Sequence, residues 1–211
     1  QIIPVIGQGQ FITLPGQKII RPDVLVPVIH GGDGEDGKIA SLCDMLHIPV
    51  VGCDATSSAV CWDKFITKSV LAHNGIPIAS FIVRAKGDEL SYQHVVDTLG
   101  IPFFVKPTRS GSSIGVSKVT DINDYKSAVT EAFRHSDTIL LESYLPGKEL
   151  EVAVLGNPPH HKTSGVGEIV PGEAFYSYED KYDASSRAGV IPNADIDEEL
   201  RNQVRDLAYR A

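Results

Sequence analysis

No stretch of this 211-residue chain is apolar for the roughly eighteen residues a membrane-crossing helix requires, so no segment is expected to span a bilayer. The start, Gln1-Ile2-Ile3-Pro4, has no methionine and neither the basic region nor the long apolar core of a signal peptide. It reads as the continuation of something. Cysteine is scarce: Cys43, Cys53 and Cys61 are odd in number and show no Cys-x-x-Cys spacing. That argues against a disulfide framework or a zinc site and leaves them as packing residues in a reducing cytosol. Basic charge is in deficit too. With 19 Lys and Arg against 27 Asp and Glu, the formal charge of −8 argues against a general nucleic-acid binder, which carries a basic footprint. A local basic pocket for nucleotide phosphates remains compatible with an acidic whole.

What is present suits a soluble globular protein. Hydrophobic content of 42% and charged content of 22% are ordinary, and the length allows one domain or two smaller ones. Val24 to Ile29 is an apolar run, which predicts a strand buried on both faces of a parallel sheet. After the break at His30 to Gly37, Ile39, Leu42, Cys43 and Leu46 recur at helical spacing, and Pro49 to Gly52 reads as the next strand. This order predicts an α/β layer with ligand-facing loops at the strand ends. Further helices are expected from Asp54 to Ser58 onward, over Lys64 to His73 with Asn74-Gly75 as the stop, and over Ser91 to Leu99, Ile122 to Phe133, and from Asp195 or Asp197 to the end. Strands are expected at Ile78 to Val83, Phe103 to Val105, Gly115 to Val119, Thr138 to Glu142 and Glu149 to Leu155, with two more β-like pieces before an aromatic segment, Phe175 to Tyr182. No repeat or low-complexity tract interrupts them.

The stretch from Phe103 to Val119 carries the strongest chemical signal. An apolar strand ends on Lys106-Pro107, a loop rich in serine and glycine follows (Ser110-Gly111-Ser112-Ser113), and a second β-branched run returns. Small residues let backbone N–H groups approach an anion, and the hydroxyls and Lys106 add donors and positive charge. No Gly-Lys-Ser/Thr follows and the next element reads as a strand, so this is not a P-loop. The residues alone leave two readings open, a phosphate cradle between two strands and an ordinary flexible hairpin. Lys64, Lys106, Glu142, Glu149 and Lys181 sit at element ends. Each alone reads best as a solvated surface group, but together they suit a nucleoside phosphate.

These motifs occur in an order that resembles the D-alanine–D-alanine ligases: Gly34-Glu35-Asp36-Gly37 after His30, Ser58-Ala59 with Asp63-Lys64, Val105-Lys106-Pro107, Gly111-Ser112-Ser113-Ile114-Gly115, Leu141-Glu142, Gly147-Lys148-Glu149 and Phe175 to Tyr182. The resemblance runs from about Val24 to the end. It implies a partial ATP-grasp fold, of mixed α/β and α+β class. Residues 1–52 would belong to an N-terminal parallel α/β substrate domain, 53–142 to the central ATP-grasp subdomain and 143–211 to the start of the C-terminal one. It implies ATP and Mg²⁺ as cofactors, and ligation of two D-alanines through an acyl phosphate for peptidoglycan synthesis in the cytoplasm, by a homodimer that contacts neither membrane nor nucleic acid. Carried over by position, Lys64 and Lys106 resemble nucleotide-contacting lysines, Glu142 and Leu145 the adenine-edge segment, and Glu149 the ribose carboxylate. Lys181 resembles a phosphate-contacting lysine on a closing loop. Ser112 and Tyr182 match the serine and tyrosine that link the two loops, Ser113 should lie by the phosphates, and His30 and Glu35 fall at the substrate end.

Bland readings stand beside these. His30 alone reads as a strand-end histidine bonded to backbone, Tyr182 as an amphipathic tyrosine, and Glu35-Asp36 as negative charge near a helix N-terminus. Trp62, Phe175, Tyr176 and Tyr178 read as packing. The family's opening strand with its glutamate, and its later arginine and Mg²⁺ ligands, have no counterpart between Gln1 and Ala211, so the chain is expected to lack both ends and its metal ligands to lie beyond it. D-alanine–D-serine or D-alanine–D-lactate ligation is the alternative activity, with Lys181-Tyr182 leaning towards D-alanine. A nucleotide-binding remnant without ligase activity is the alternative for these residues by themselves.

Overall fold

The computed structural model describes residues 1–29, 31–172 and 188–211. Two compact units are distinguished, residues 1–67 with 109–111, and residues 68–108 with 112–211. Among the described residues no helix is long and apolar enough to cross a membrane.

In the first unit, β1 (Ile2–Val5), β2 (Gln10–Thr13) and β3 (Ile19–Ile20) form an antiparallel sheet with β2 central. α1 (Lys38–Leu46) presents Cys43 and Leu46 to the interior, and Leu46 joins Phe11 and Ile48 in a small core. Asp36 accepts from the Lys38 backbone N–H at 3.1 Å, so its negative charge does lie at the start of α1. The strand expected over Val24 to Ile29 shrinks to one parallel bridge, Leu25 to Val50, with Val26 and Val28 59% and 92% exposed. Pro27 has no N–H to give a ladder, so the apolar run is not a doubly covered strand. α2 (Ala55–Trp62) is capped by Asp54, whose side chain accepts from the Ser57 N–H. The packing role expected for the cysteines holds for Cys43, whose thiol burial pushes up in pKa, but Cys53 and Cys61 are exposed at either end of α2.

α3 (Lys64–His73) begins in the first unit and ends in the second, where Gly75 takes a left-handed φ of 70°. The second unit is built on an antiparallel sheet in the order β4 (Phe81–Ala85), β7 (Thr138–Ser143), β5 (Phe103–Pro107), β6 (Ser117–Val119). Strand alternation divides its residues between two faces. One face, with Phe103, Val105, Val119, Ile139 and Leu141, packs on α4 (Tyr92–Leu99) and α5 (Ile122–Ala132). Both helices start on polar caps, Ser91 and Asp121, and α5 buries Ala128, Val129 and Ala132 as their spacing predicts. Each large side chain withdrawn from water here contributes about 1.5–3 kcal/mol, which makes this the stable platform of the unit. The other face carries Phe81, Phe104, Lys106, Lys118 and Glu142.

Beyond the sheet, the single strand expected over Glu149 to Leu155 is two, β8 (Glu149–Glu151) and β9 (Val154–Leu155), which join different sheets. β8 pairs with β11 (Gly167–Val170), which also pairs with β12 (Gly189–Ile191); β9 pairs with β10 (Lys162–Thr163). The change of partner at Val152-Ala153 splits the run. α6 (Glu198–Arg210) opens on Asp197, whose carboxylate accepts from the Leu200 N–H at 2.8 Å.

Candidate active site

The polar face of the four-stranded sheet is organised by one carboxylate between two ammonium groups. Phe104 lies opposite Glu142 in the β5–β7 register, and Lys106 is two residues along β5 on the same face. Lys106 bonds Glu142 Oε2, and Lys68, from α3, bonds Glu142 Oε1. All three are largely shielded, with side-chain exposures of 24% for Lys106, 12% for Glu142 and 15% for Lys68. Burial resists ionisation of Glu142, but the charges and hydrogen bonds of Lys106 and Lys68 outweigh it and hold the carboxyl below the usual glutamate range. Aromatic rings floor this charge layer. Lys106 Nζ lies 5.2 Å from the Phe104 ring centre, Lys68 Nζ 5.4 Å from that of Phe81, and Lys118 Nζ 4.4 Å from that of Tyr144. Two cations against one anion, over apolar rings, leave a surplus positive charge beside flat stacking surfaces.

The loop after β5 is held at its root and twisted at its tip. Thr108, 1% exposed, donates its hydroxyl to the Thr138 carbonyl at 3.1 Å and its backbone N–H to the same carbonyl at 3.0 Å. Ser112 and Ser113 both take left-handed backbone, at φ 50° and 59°, which is costly for residues with a Cβ. Gly115 follows at φ 72°, where a Cβ would stand 2.6 Å from His135 and 2.8 Å from Pro107, so only glycine fits. Consecutive strained residues in a serine-rich turn are what a loop shaped for a ligand would show.

The first unit contains its own part of this loop. Asp63, a buried carboxylate at the junction of α2 and α3, accepts from Arg109 Nε at 2.8 Å. Its other oxygen accepts from the Phe65 and Ile66 N–H groups at 3.0 and 3.3 Å, capping α3. Lys64 donates to the Ser110 carbonyl at 2.5 Å. A Cβ added at Gly111 would stand 3.5 Å from the Trp62 ring and 3.6 Å from a Glu35 carboxylate oxygen.

Of the residues singled out in the sequence, Lys106 and Glu142 are therefore paired directly, Ser112 and Ser113 are neighbours in one strained turn, and Lys64 holds that loop's backbone at Ser110. Leu145 stands 66% exposed just past β7, and Glu149 opens β8 on an exposed position. Glu35 follows a short 3-10 turn, Gly32–Gly34. His30, Lys181 and Tyr182 lie outside the described residues, as does the aromatic segment from Phe175. Lys68 and Arg109 escaped the sequence reading, and Asp63 entered it only within the Asp63-Lys64 motif, with no role given. Lys68 had one usable signal, its place one turn beyond Lys64 on a helix. The pairing of Asp63 with Arg109 had none, because the two are 46 residues apart. Among the described residues no group of three or more His, Cys, Asp or Glu side chains is placed to hold a metal ion.

Comparison with known proteins covers nearly the whole chain. A family model described as D-ala D-ala ligase N-terminus matches residues 7–53, and one described as D-ala D-ala ligase C-terminus matches residues 70–211. A D-alanine--D-alanine ligase of Proteus mirabilis is 40% identical over 100% of this chain and 58% of the relative. The chain therefore spans a little over half the length of the curated relatives it matches. Among solved structures, the VanG D-Ala:D-Ser ligase of Enterococcus faecalis superposes with a TM-score of 0.86 at 29% identity, covering 99% of this chain and 61% of that one. A D-alanine-D-alanine ligase of Coxiella burnetii gives 0.83 at 31% identity, over 98% and 55% respectively. The mixed α/β architecture is thus that of the ATP-grasp D-Ala-D-Ala ligase structures.

Proposed function

Since the chain belongs to the D-alanine–D-alanine ligase family, we propose that it is the nucleotide-holding part of an enzyme that joins two D-alanines for peptidoglycan synthesis, using ATP. The single observation that carries this reading is the Lys106–Glu142–Lys68 arrangement on the open face of the sheet, in a chain matched by both family models. Residues 1–52 serve the substrate, 53–142 form the central nucleotide-binding part, and 143–211 begin the part that closes on it.

In this reading, Lys106 and Lys64 meet the nucleotide, Glu142 and Leu145 its base edge, Glu149 its ribose hydroxyls, and Ser113 and Lys181 its phosphates. Ser112 and Tyr182 join the loops beside the first D-alanine, near His30 and Glu35. The carboxylate of the first D-alanine attacks the terminal phosphorus, the bond to ADP breaks, and a D-alanyl phosphate forms. The amine of the second D-alanine then attacks that carbonyl and phosphate leaves, with the amine proton lost to solvent or a base. The chain's own contribution is to hold positive charge where the transferring group gains negative charge and to keep water from the acyl phosphate. Magnesium belongs to the family expectation, but no step is assigned to it on these residues. A homodimer in the cytoplasm completes the reading.

The structural likeness to a D-Ala:D-Ser ligase supports one second reading, in which the acceptor is D-serine; D-lactate is the further alternative. Mass detection of the products settles the acceptor. The protein, extended to the length of its relatives, is given ATP, Mg²⁺ and D-alanine, with and without equimolar D-serine or D-lactate. D-alanyl-D-alanine as the main product in every mixture supports the first reading, a mixed product the second, and no ATP-dependent product contradicts both. The 211-residue chain assayed alongside tests the remaining alternative, nucleotide binding without ligation.

A further inference from the structure

Lys68 reaches the sheet from α3 and meets a carboxylate, a carbonyl and an aromatic ring there. Its ammonium bonds Glu142 Oε1, donates to the Ala79 carbonyl at 3.3 Å and faces the Phe81 ring at 5.4 Å. Lys106 shares the same carboxylate through Oε2 but is the more exposed of the two, over the Phe104 ring. Lys68 is thus the inner cation and Lys106 the outer one.

This asymmetry has a consequence for any ligand that recruits Lys106. A ligand acceptor must draw the Lys106 ammonium away from Glu142. With Lys106 as its only partner, Glu142 would then be left as a shielded, uncompensated charge, which is strongly unfavourable. With Lys68 still bound to Oε1, Glu142 keeps a counter-charge throughout the exchange. We propose that Lys68 is a positioning residue for the nucleotide: it holds Glu142 in place and charge-balanced, so that Lys106 can pass from Glu142 to an acceptor atom of the nucleotide. The proposal rests on the nucleotide reading of this face given above.

The test uses the protein extended to the length of its relatives, with ADP binding followed by calorimetry and ATP and D-alanine kinetics measured in parallel. Lys68→Met keeps the aliphatic stem and removes the charge. It should weaken ADP binding and raise the KM for ATP by about tenfold or more, with the KM for D-alanine unchanged, and Lys68→Arg should restore ADP affinity. In a Lys106→Met background the partner exchange no longer exists, so adding Lys68→Met should cost little further affinity. If Lys68→Met lowers the melting temperature while the folded protein binds ADP as tightly as the parent, Lys68 is only structural and the inference is overturned. Equal losses in the parent and Lys106→Met backgrounds overturn it too. Should Lys68→Met not fold, Lys68→Gln and Lys68→Arg supply the same comparison. If Lys106→Met itself leaves ADP affinity unchanged, the nucleotide reading of this face fails, which separates that failure from failure of the role given to Lys68.

Discussion

Asp63 and Arg109 are 46 residues apart in the chain and 2.8 Å apart in space, the carboxylate of one receiving the guanidinium Nε of the other. The same carboxylate caps α3 through its second oxygen. One buried side chain therefore ties the start of a helix to the root of the serine-rich loop. Replacing it removes a cap and an ion pair together. Asp63→Ala should lower stability by roughly 2–3 kcal/mol, the cap accounting for about 1 kcal/mol of it. Asp63→Asn keeps the cap acceptor and should lose less. Arg109→Ala, with its side chain mostly exposed, should cost under about 1 kcal/mol. Urea unfolding of the three variants checks the order; equal losses for Asp63→Asn and Asp63→Ala would mean that the cap contributes nothing.

Gly115→Ala tests the close approach behind the loop. The added Cβ meets Pro107 and His135 well inside contact distance, on backbone of positive φ. The positive φ alone costs about 1 kcal/mol and the overlap adds to it, so a loss of roughly 2 kcal/mol or more is expected in thermal unfolding. Gly75→Ala has the same sign of φ and open space around it, and should show the backbone cost alone.

A paired substitution separates strain from chemistry at Ser113. Ser113→Ala keeps the left-handed strain and loses the hydroxyl, whereas Ser113→Gly loses both. The glycine variant should be more stable than the alanine variant by about 1 kcal/mol, although both lack the proposed phosphate contact. Both should raise the KM for ATP. An alanine variant as stable as the glycine variant would show that the loop relaxes out of the left-handed region.

Glu142 makes stability depend on pH with a definite sign. Its folded pKa lies below the unfolded value of about 4.5, so the unfolded chain takes up a proton first as the solution is acidified. The stabilisation is fully present above that value and is lost as pH falls through the folded pKa. Glu142→Gln leaves Lys106 and Lys68 facing a neutral amide and should cost on the order of 3 kcal/mol at pH 7. The gap from the parent should narrow towards pH 3. Melting temperatures of the two proteins across this range check it, and a gap that stays constant would contradict the pairing.

Much of the second unit was legible from local pattern. Ser91 marked a helix start, the apolar run from Phe103 ending on Lys106-Pro107 marked a strand, and Ala128, Val129 and Ala132 fell where helical spacing put them. The first unit was read less well, because an apolar run does not reveal its neighbours and Pro27 interrupts the ladder that such a run would need. The same limit applied to the site. Lys106, Glu142 and the Ser112-Ser113 turn stood out through residue type and position at strand ends. Lys68 did not, because a lysine on a helix resembles a surface charge until the strand opposite places a carboxylate against it. Pairs such as Asp63 and Arg109 exist only after the chain has folded back on itself.

D-alanine-dependent ATP use is read directly as inorganic phosphate release from the protein extended to the length of its relatives, measured with ATP and Mg²⁺ in the presence and absence of D-alanine. Release should require D-alanine, saturate with both substrates and be strongly reduced by Lys106→Met. Release that ignores D-alanine, or none at all from a folded protein that binds ADP, would contradict the ligase reading.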